Sequence, residues 1–249
     1  MQTRHMPTVG ARYWSAITLA SLFGTNLGDL YANETGLGTY AGVAILAVLA
    51  AAAFVAERRD PFPRELWYWL VVIIIRTGAT NIADYLAYHV HIAEPALSLG
   101  LAALIAGFGW LSLHRRDRAE IAAEARGMPA TGGAYWAAML SAGVFGTVVG
   151  DVAQHLFGQG QAALGLAALL AVALAVWRGV GTGRIWVYWL TVAVARTAGT
   201  AMGDYLAESD TLGLGLAVAT LVTGSLFLLV LLLWRTKPRV TALAGVRQI

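Results

Sequence analysis

Eight apolar stretches of roughly 20 residues limit what this chain can fold into, because each can cross a bilayer as a helix. Their approximate limits are 13–33, 38–57, 66–88, 94–113, 134–156, 160–178, 185–207 and 211–234. A soluble fold has no interior for so much apolar surface, since only 12 % of the 249 residues are charged and the mean hydropathy is +0.65. The predicted fold class is therefore an all-α polytopic membrane protein with eight transmembrane helices.

The basic residues are distributed very unevenly between the connecting segments. Of 17 Lys and Arg residues, 15 lie at the N-terminus, in the segments after the second, fourth and sixth helices, or in the C-terminal tail. The opposite loops contain no Lys or Arg and carry the acids Glu34, Glu94, Glu208 and Asp210. By the positive-inside rule both termini are predicted to be cytoplasmic, in a multi-pass protein of the plasma membrane.

A Tyr-Trp pair, followed by Thr and then Asp, opens every odd-numbered stretch, and the Trp-to-Asp spacing is 15 in all four copies. The copies are Tyr13-Trp14 with Thr25 and Asp29, Tyr68-Trp69 with Thr80 and Asp84, Tyr135-Trp136 with Thr147 and Asp151, and Tyr188-Trp189 with Thr200 and Asp204. Self-similarity at this scale indicates repeat architecture. We therefore expect four two-helix repeats that share one orientation.

The second and fourth copies share an Arg-Thr pair, Arg76-Thr77 and Arg196-Thr197, which the other two copies lack. This alternation predicts two parallel halves related by an axis along the membrane normal. The predicted segments are an N-terminal half over 1–113, a cytoplasmic linker over 114–133, a C-terminal half over 134–234 and a cytoplasmic basic tail over 235–249.

The spacing of the repeat also predicts the depth of its residues. Tyr and Trp favour the membrane interface, so the pair is expected to lie where each odd helix enters from the cytoplasm. Thr would then lie roughly 16 Å deep and Asp about 22 Å deep. Small residues recur every four positions beside them, a pattern that lets helices approach closely. The odd helices are predicted to form an inner ring around the four Asp, with the even helices outside.

The Tyr-Trp start, the Gly-Thr-x-x-Gly-Asp core and the Leu-Gly-Leu stretches resemble bacterial membrane proteins of the DUF347 family, a fourfold repeat of unknown function. The Leu-Gly-Leu stretches are Gly36-Leu37-Gly38, Leu99-Gly100-Leu101, Leu164-Gly165-Leu166 and Leu212-Gly213-Leu214-Gly215. The resemblance covers about residues 12–235. It implies the repeat architecture and no particular activity.

The intramembrane polar residues are the candidate site. A charged group at the bilayer centre costs about 2.5–3.5 kcal/mol on insertion scales, so such residues are paired or functional. The alternative is that they only hydrogen-bond neighbouring helices. The candidate substrate-binding residues are Asp29, Asp84, Asp151, Asp204, Thr25, Thr80, Thr147, Thr200, Asn26, Asn81, Arg76 and Arg196.

The same carboxylates are candidate ligands for a bound divalent metal ion, with the cofactor otherwise unknown. Oxygen ligands suit Mg²⁺ or Mn²⁺, and His155, four residues after Asp151, would favour a transition metal. An interfacial hydrogen bond is the alternative role for His155. The candidate metal ligands are Asp29, Asp84, Asp151, Asp204 and His155.

Two roles are open for Arg76 and Arg196, each of which lies eight residues before the Asp of its repeat. Their side chains either extend to the cytoplasmic face or form an inner gate below the acidic site. In the gate hypothesis, a cation that reaches the Asp residues loosens an Arg contact.

These residues favour a transporter or channel for a small cation, either a divalent metal or a proton. The alternatives are a small-ligand binder or scaffold without transport, and, less favoured, an intramembrane aspartyl enzyme, whose known motifs are lacking. We expect no enzyme activity and no nucleic-acid partner. The partners expected are the lipid bilayer and a small cation or small-molecule ligand, with a homo-oligomer left open.

Aromatic residues near the acids offer either a cation–π pocket for an organic cation or an outer interfacial belt. They are Phe23, Tyr31, Tyr85, Phe145 and Tyr205.

Overall fold

The structure is a computed structural model that describes residues 7–60, 65–114, 131–180 and 185–234. The predicted basic tail lies outside these residues, as does nearly all of the predicted linker. The described residues are all-α, with eight α-helices and no strand. The all-α class is confirmed for this part of the chain.

The helices run, in chain order, α1 Ala11–Thr35, α2 Gly38–Arg59, α3 Leu66–Asp84, α4 Glu94–His114, α5 Gly133–Phe157, α6 Gln159–Val180, α7 Ile185–Glu208 and α8 Leu216–Leu233. A π-helical turn, Tyr85–His89, extends α3. Most bounds fall within two residues of those predicted from hydropathy.

The start of α8 was predicted wrongly, at residue 211 instead of Leu216. The reason is local backbone geometry. Gly213 and Gly215 have φ of 44° and 76°, in the left-handed region that a right-handed helix does not use. The amide groups of Leu214 and Gly215 instead donate to the carbonyl groups of Leu206 and Ala207. These bonds close a turn over the end of α7 before α8 begins.

The four odd-numbered helices form a closed inner ring. α1 contacts α3, α3 contacts α5, α5 contacts α7, and α7 returns to α1. Each outer helix packs mainly on the inner helix that follows it, with α2 on α3, α4 on α5, α6 on α7 and α8 on α1. Within their apolar windows, 61 % of α5 is buried but only 11 % of α6. The predicted inner and outer positions are confirmed for the described helices, and contacts run continuously between the first four helices and the last four.

Six of the eight described helices are long and apolar enough to cross a membrane: α2, α3, α4, α5, α6 and α8. The other two, α1 and α7, carry polar side chains on the faces that they turn into the ring. Asn26 lies inside α1, and Arg196 lies inside α7, both with no exposed surface. Six helices of this length and composition indicate a multi-pass membrane protein.

Glycine is required where the inner helices approach most closely. A Cβ atom at position 146 of α5 would lie 2.7 Å from both the carbonyl carbon and the Cβ of Arg196 in α7. At position 199 of α7 it would lie 2.2 Å from the Cβ of Ser21 in α1. Real Cβ contacts are essentially never this short, so a side chain at either position would push two inner helices apart.

We expect Gly146→Ala to lower the free energy of unfolding by about 1–3 kcal/mol, because the methyl group meets backbone that has to move. The matched control is Gly165→Ala on the exposed face of α6, where a Cβ atom has no neighbour within 4 Å. Thermal midpoints of the two variants in detergent measure the difference. Equal midpoints would contradict close packing of α5 on α7.

Candidate functional site

The ring axis is closed at the end where the inner helices begin, which we call the tyrosine end. The hydroxyl oxygens of Tyr13, Tyr68, Tyr135 and Tyr188 form a closed square, with successive O–O distances of 3.1, 2.6, 2.9 and 2.6 Å. Each hydroxyl has two hydroxyl neighbours, so it donates to one and accepts from the other. One repeat supplies each tyrosine, and we call the group the tyrosine ring.

The Tyr-Trp pairs lie near the start of each inner helix, but their side chains are buried inside the protein and form no exposed aromatic belt. The four tyrosines are at most 3 % exposed and the four tryptophans at most 7 %. Each Tyr packs edge-on against the Trp that follows it, with ring centroids 5.1–5.2 Å apart. Both side chains of each pair are buried between the inner helices. The tyrosine hydroxyl groups find hydrogen-bond partners on the axis, and the Tyr and Trp rings pack on one another.

Arg76 lies on the axis beyond the tyrosine ring, and its guanidinium contacts one threonine from each repeat. Nη1 donates to Oγ1 of Thr80 at 2.8 Å and of Thr147 at 3.1 Å. Nη2 donates to Oγ1 of Thr200 at 2.7 Å and to Oγ1 of Thr25. Arg76 has no exposed surface. Its side chain therefore does not extend to the helix ends, and the four threonines form a second ring, the threonine ring.

Arg196 takes the other direction. Its Nη1 donates to Oγ of Ser21 at 3.2 Å, and its guanidinium lies near all four members of the tyrosine ring. It is also fully buried. In the first and third repeats, Ser21 and Gly143 occupy the repeat position that Arg76 and Arg196 occupy in the second and fourth. These two small residues leave room for the two guanidinium groups. The alternation seen in the sequence is a packing requirement on the axis.

A polar cavity of about 270 Å³ lies on the opposite side of the threonine ring, at what we call the acidic end. One Thr and one Asp from each repeat line it: Thr25, Thr80, Thr147, Thr200, Asp29, Asp84, Asp151 and Asp204. Gln154, His155, Gln159 and Glu208 complete the lining. Nε2 of Gln154 donates to Oδ2 of Asp204 at 2.7 Å. All four predicted Asp residues therefore share one cavity.

Charge is separated along the axis between the two arginines and the cavity. The cavity is lined by five carboxyl groups, those of the four Asp residues and Glu208. Arg76 lies nearest to them and interacts electrostatically with Asp29, Asp151 and Asp204. Between the described residues, however, no Arg–Asp ion pair forms within 4.0 Å, and the ion pair seen is Arg12–Glu65 at 2.5 Å. The threonine hydroxyl groups stand between the opposite charges.

Asn26 and Asn81 are not brought to the cavity. Nδ2 of Asn81 donates to the carbonyl oxygens of Thr77 and Gly28, at 2.9 and 3.3 Å, and so joins α3 to α1. Oδ1 of Asn26 lies 3.2 Å from where a Cβ of Gly203 would be, in the contact between α1 and α7. Both asparagines lie between inner helices. Asn81 has the hydrogen-bonding role that the sequence left as an alternative, whereas the buried amide of Asn26 has no hydrogen-bond partner among the described residues.

The aromatic residues near the acids do not line the cavity either. Phe23 stacks on Phe227 of α8, with ring centroids 6.3 Å apart. The hydroxyl of Tyr31 donates to the carbonyl of Gly42, and that of Tyr205 lies 2.9 Å from Oγ1 of Thr211. Among the residues whose side chains the structure describes, no aromatic residue forms a wall of this cavity that could hold an organic cation by cation–π contacts.

The predicted metal centre is not preformed. His155 lines the cavity together with the four Asp residues. Among the residues that the structure describes, however, no three His, Cys, Asp or Glu side chains stand close enough together to hold a metal ion. A dehydrated metal ion needs several direct ligands at about 2–2.6 Å. The donor set does not fit such an ion without movement of the helices.

Sequence reasoning missed Gln154, Gln159 and Glu208 as lining residues. Two of them lie on the same helix faces as predicted acids, because Gln154 is three residues after Asp151 and Glu208 four residues after Asp204. Helical periodicity was therefore a usable signal for both. Gln159 opens α6 and has no such relation to a repeat.

These features define a multi-pass α-helical membrane protein with an acidic cavity that ends at a buried arginine. The family described as Repeat of Unknown Function (DUF347) matches residues 12–59 and 187–239. These residues contain α1 with α2 and α7 with α8, so the match supports the family resemblance over the first and last repeats. No curated protein and no solved structure matches the chain.

We expect Tyr68→Phe to destabilise the fold by about 1–3 kcal/mol, because it removes one hydroxyl and leaves two buried hydroxyls short of a partner. The matched control is Tyr205→Phe, which loses one exposed contact with Thr211. Thermal unfolding in detergent compares the two variants. A Tyr68→Phe midpoint equal to that of the control would argue against a closed tyrosine ring.

Proposed function

We propose that this protein moves a small cation across the membrane and that the acidic cavity is its binding site. The observation that carries the proposal is the convergence of four Asp residues, one from each repeat, on a single cavity. Burying carboxylates in a membrane costs free energy, so they are expected to have a function there. Four Thr or Asn side chains would hydrogen-bond the helices to one another equally well. A shared cavity of carboxylates attracts cations and repels anions.

The proposal places all eight helices across the bilayer. Within the inner ring α1 packs on α3 and α7 packs on α5. Because α3 and α5 are long and apolar enough to cross the membrane, α1 and α7 would have to cross it beside them. With both termini in the cytoplasm, the tyrosine end faces the cytoplasm and the acidic end faces outward. The four repeats would then surround one axis along the membrane normal, in the inner membrane of a bacterium.

The path of the cation would run along this axis. From outside it would enter the acidic cavity, and Arg76 in the threonine ring would stop it there. The tyrosine ring would form a second barrier toward the cytoplasm. The structure would therefore correspond to a state that is open outward and closed inward, as alternating access requires of a transporter.

The lining favours cations that do not need several direct carboxylate ligands. A proton can reside on a single carboxylate. A hydrated ion such as Mg²⁺ keeps most of its water and binds through one or two carboxylates. Both fit a polar cavity of about 270 Å³ without a preformed metal cluster. Protons and hydrated divalent ions are therefore the first cations to examine.

We expect the Asp29→Asn/Asp151→Asn double variant to lose at least about tenfold in cation flux, because it removes the charge of two opposite helices from the cavity. Proteoliposomes with internal dyes for pH and for divalent ions measure the flux. The control is Asp210→Asn, an exposed acid in the turn after α7 that does not line the cavity.

Two outcomes would count against the proposal. One is a flux in the double variant equal to that of the wild type and the control. The other is no flux of any cation through correctly folded wild-type protein, which would favour the alternative of a ligand-binding or scaffolding protein. Gel filtration of each variant establishes that its fold is preserved.

A further inference from the structure

The threonine ring contains a cation of the protein's own. Four hydroxyl oxygens, from four different helices, surround the guanidinium of Arg76. A single arginine has five N–H groups and no acceptor, so all four threonine oxygens accept hydrogen bonds from it. A site that holds one cation in this way has the geometry to hold another.

Three of the four threonine hydroxyl groups are oriented as acceptors by the helices that carry them. The hydroxyl of Thr25 donates to the carbonyl of Ser21 at 2.9 Å, and that of Thr200 donates to the carbonyl of Arg196 at 3.3 Å. Thr147 donates to the carbonyl of Gly143 at 3.5 Å. Because these hydrogen atoms are directed back along the helix, the oxygen lone pairs are left for the axis. The ring therefore favours cations and disfavours anions.

The position of the ring connects it with the acidic cavity. All four threonines also line that cavity, so a cation among the Asp residues is in contact with the ring from its open side. Arg76 fills the ring from the other side. Its stem packs against α1, where a Cβ atom at Gly24 would lie 2.5 Å from Cγ of Arg76. The guanidinium and an incoming cation compete for the same four oxygens.

We infer that the threonine ring is a cation-binding subsite in which Arg76 acts as a tethered ligand, and that it takes small cations with N–H donors when Arg76 withdraws. The inference rests on the proposed function for its place on a transport path. The chemical class follows from the resident group: a planar guanidinium directs two N–H groups from each terminal nitrogen and so satisfies four acceptors at once. Guanidinium and ammonium-type ions share these donors, whereas a metal ion has none.

The test uses binding of free guanidinium, which does not depend on transport. Removing the tethered ligand in Arg76→Ala should create a vacant site. We expect millimolar guanidinium chloride to raise the thermal midpoint of this variant in detergent by about 2–4 °C in a saturable manner. The wild type should show no such rise, because its own guanidinium occupies the ring. Sodium chloride at equal concentration controls for ionic strength.

A second substitution identifies the site of binding. The Arg76→Ala/Thr147→Val variant lacks one of the four acceptors and should lose most of the guanidinium effect. The matched control is Arg76→Ala/Thr191→Val, which should keep it, since the hydroxyl of Thr191 donates only within α7, to the carbonyl of Val187 at 2.7 Å. Equal effects in the two double variants would overturn the inference, as would a folded Arg76→Ala protein that guanidinium does not stabilise.

If Arg76→Ala does not fold, Arg76→Gln retains a side chain on the axis and permits the same titration. The proposed function can fail independently of this inference. It fails when the wild type carries no cation although guanidinium still stabilises the Arg76→Ala or Arg76→Gln variant. The inference fails when the wild type carries a cation and guanidinium stabilises neither Arg76→Ala nor Arg76→Gln.

Discussion

A guanidinium group buried without a carboxylate beside it is stabilised by several neutral acceptors, and the middle of this protein's axis is arranged to supply them to one arginine. Arg76 finds four threonine hydroxyl groups, one from each inner helix. Those hydroxyl groups can meet only if the four helices are very close together, and glycine at positions such as 146 and 199 permits this. Burial of charge and close helix packing therefore depend on each other.

Close packing of the ring also determines what lies above and below the arginines. On one side four tyrosines are near enough to complete a ring of hydrogen bonds. On the other side the Asp residues open onto a shared cavity. The same four helices thus carry hydroxyl groups, then guanidinium groups, then hydroxyl groups, then carboxylates along one axis. A cation meets acceptors at the acidic end and positive charge behind them.

Much of this arrangement follows from the spacing of the repeat. Equal Trp-to-Asp spacing in four similarly oriented helices places the Asp residues at one level, and the small residues beside them indicate the inner ring. The tyrosine ring was not predicted, because Tyr and Trp at a helix end are typical of the membrane interface. Only the three-dimensional closure of the ring shows that these side chains point to the axis and are buried.

The direction of each arginine was equally hidden from the sequence. Arg76 and Arg196 occupy equivalent positions, yet one reaches the threonine ring and the other Ser21 and the tyrosines. Two like charges at one level cannot occupy the same volume, so the side chains separate along the axis. Which arginine points toward the threonines and which toward the tyrosines depends on side-chain packing, and the periodicity of the sequence does not reveal that packing. The last helix shows the same limit, because the glycines before it delay its start.

In the proposed function the cavity opens to one side of the membrane only, and this can be measured directly because the chain contains no cysteine. Single cysteines would replace Gln154, which lines the cavity, and Met139, which is fully buried on α5 near the tyrosine end. A membrane-impermeant cationic thiol reagent is then added to intact cells or to inside-out vesicles. We expect rapid labelling of Gln154→Cys in cells, little labelling of it in inside-out vesicles, and no labelling of Met139→Cys in either. Labelling of Gln154→Cys from the cytoplasmic side alone, or of both positions at similar rates, would contradict it.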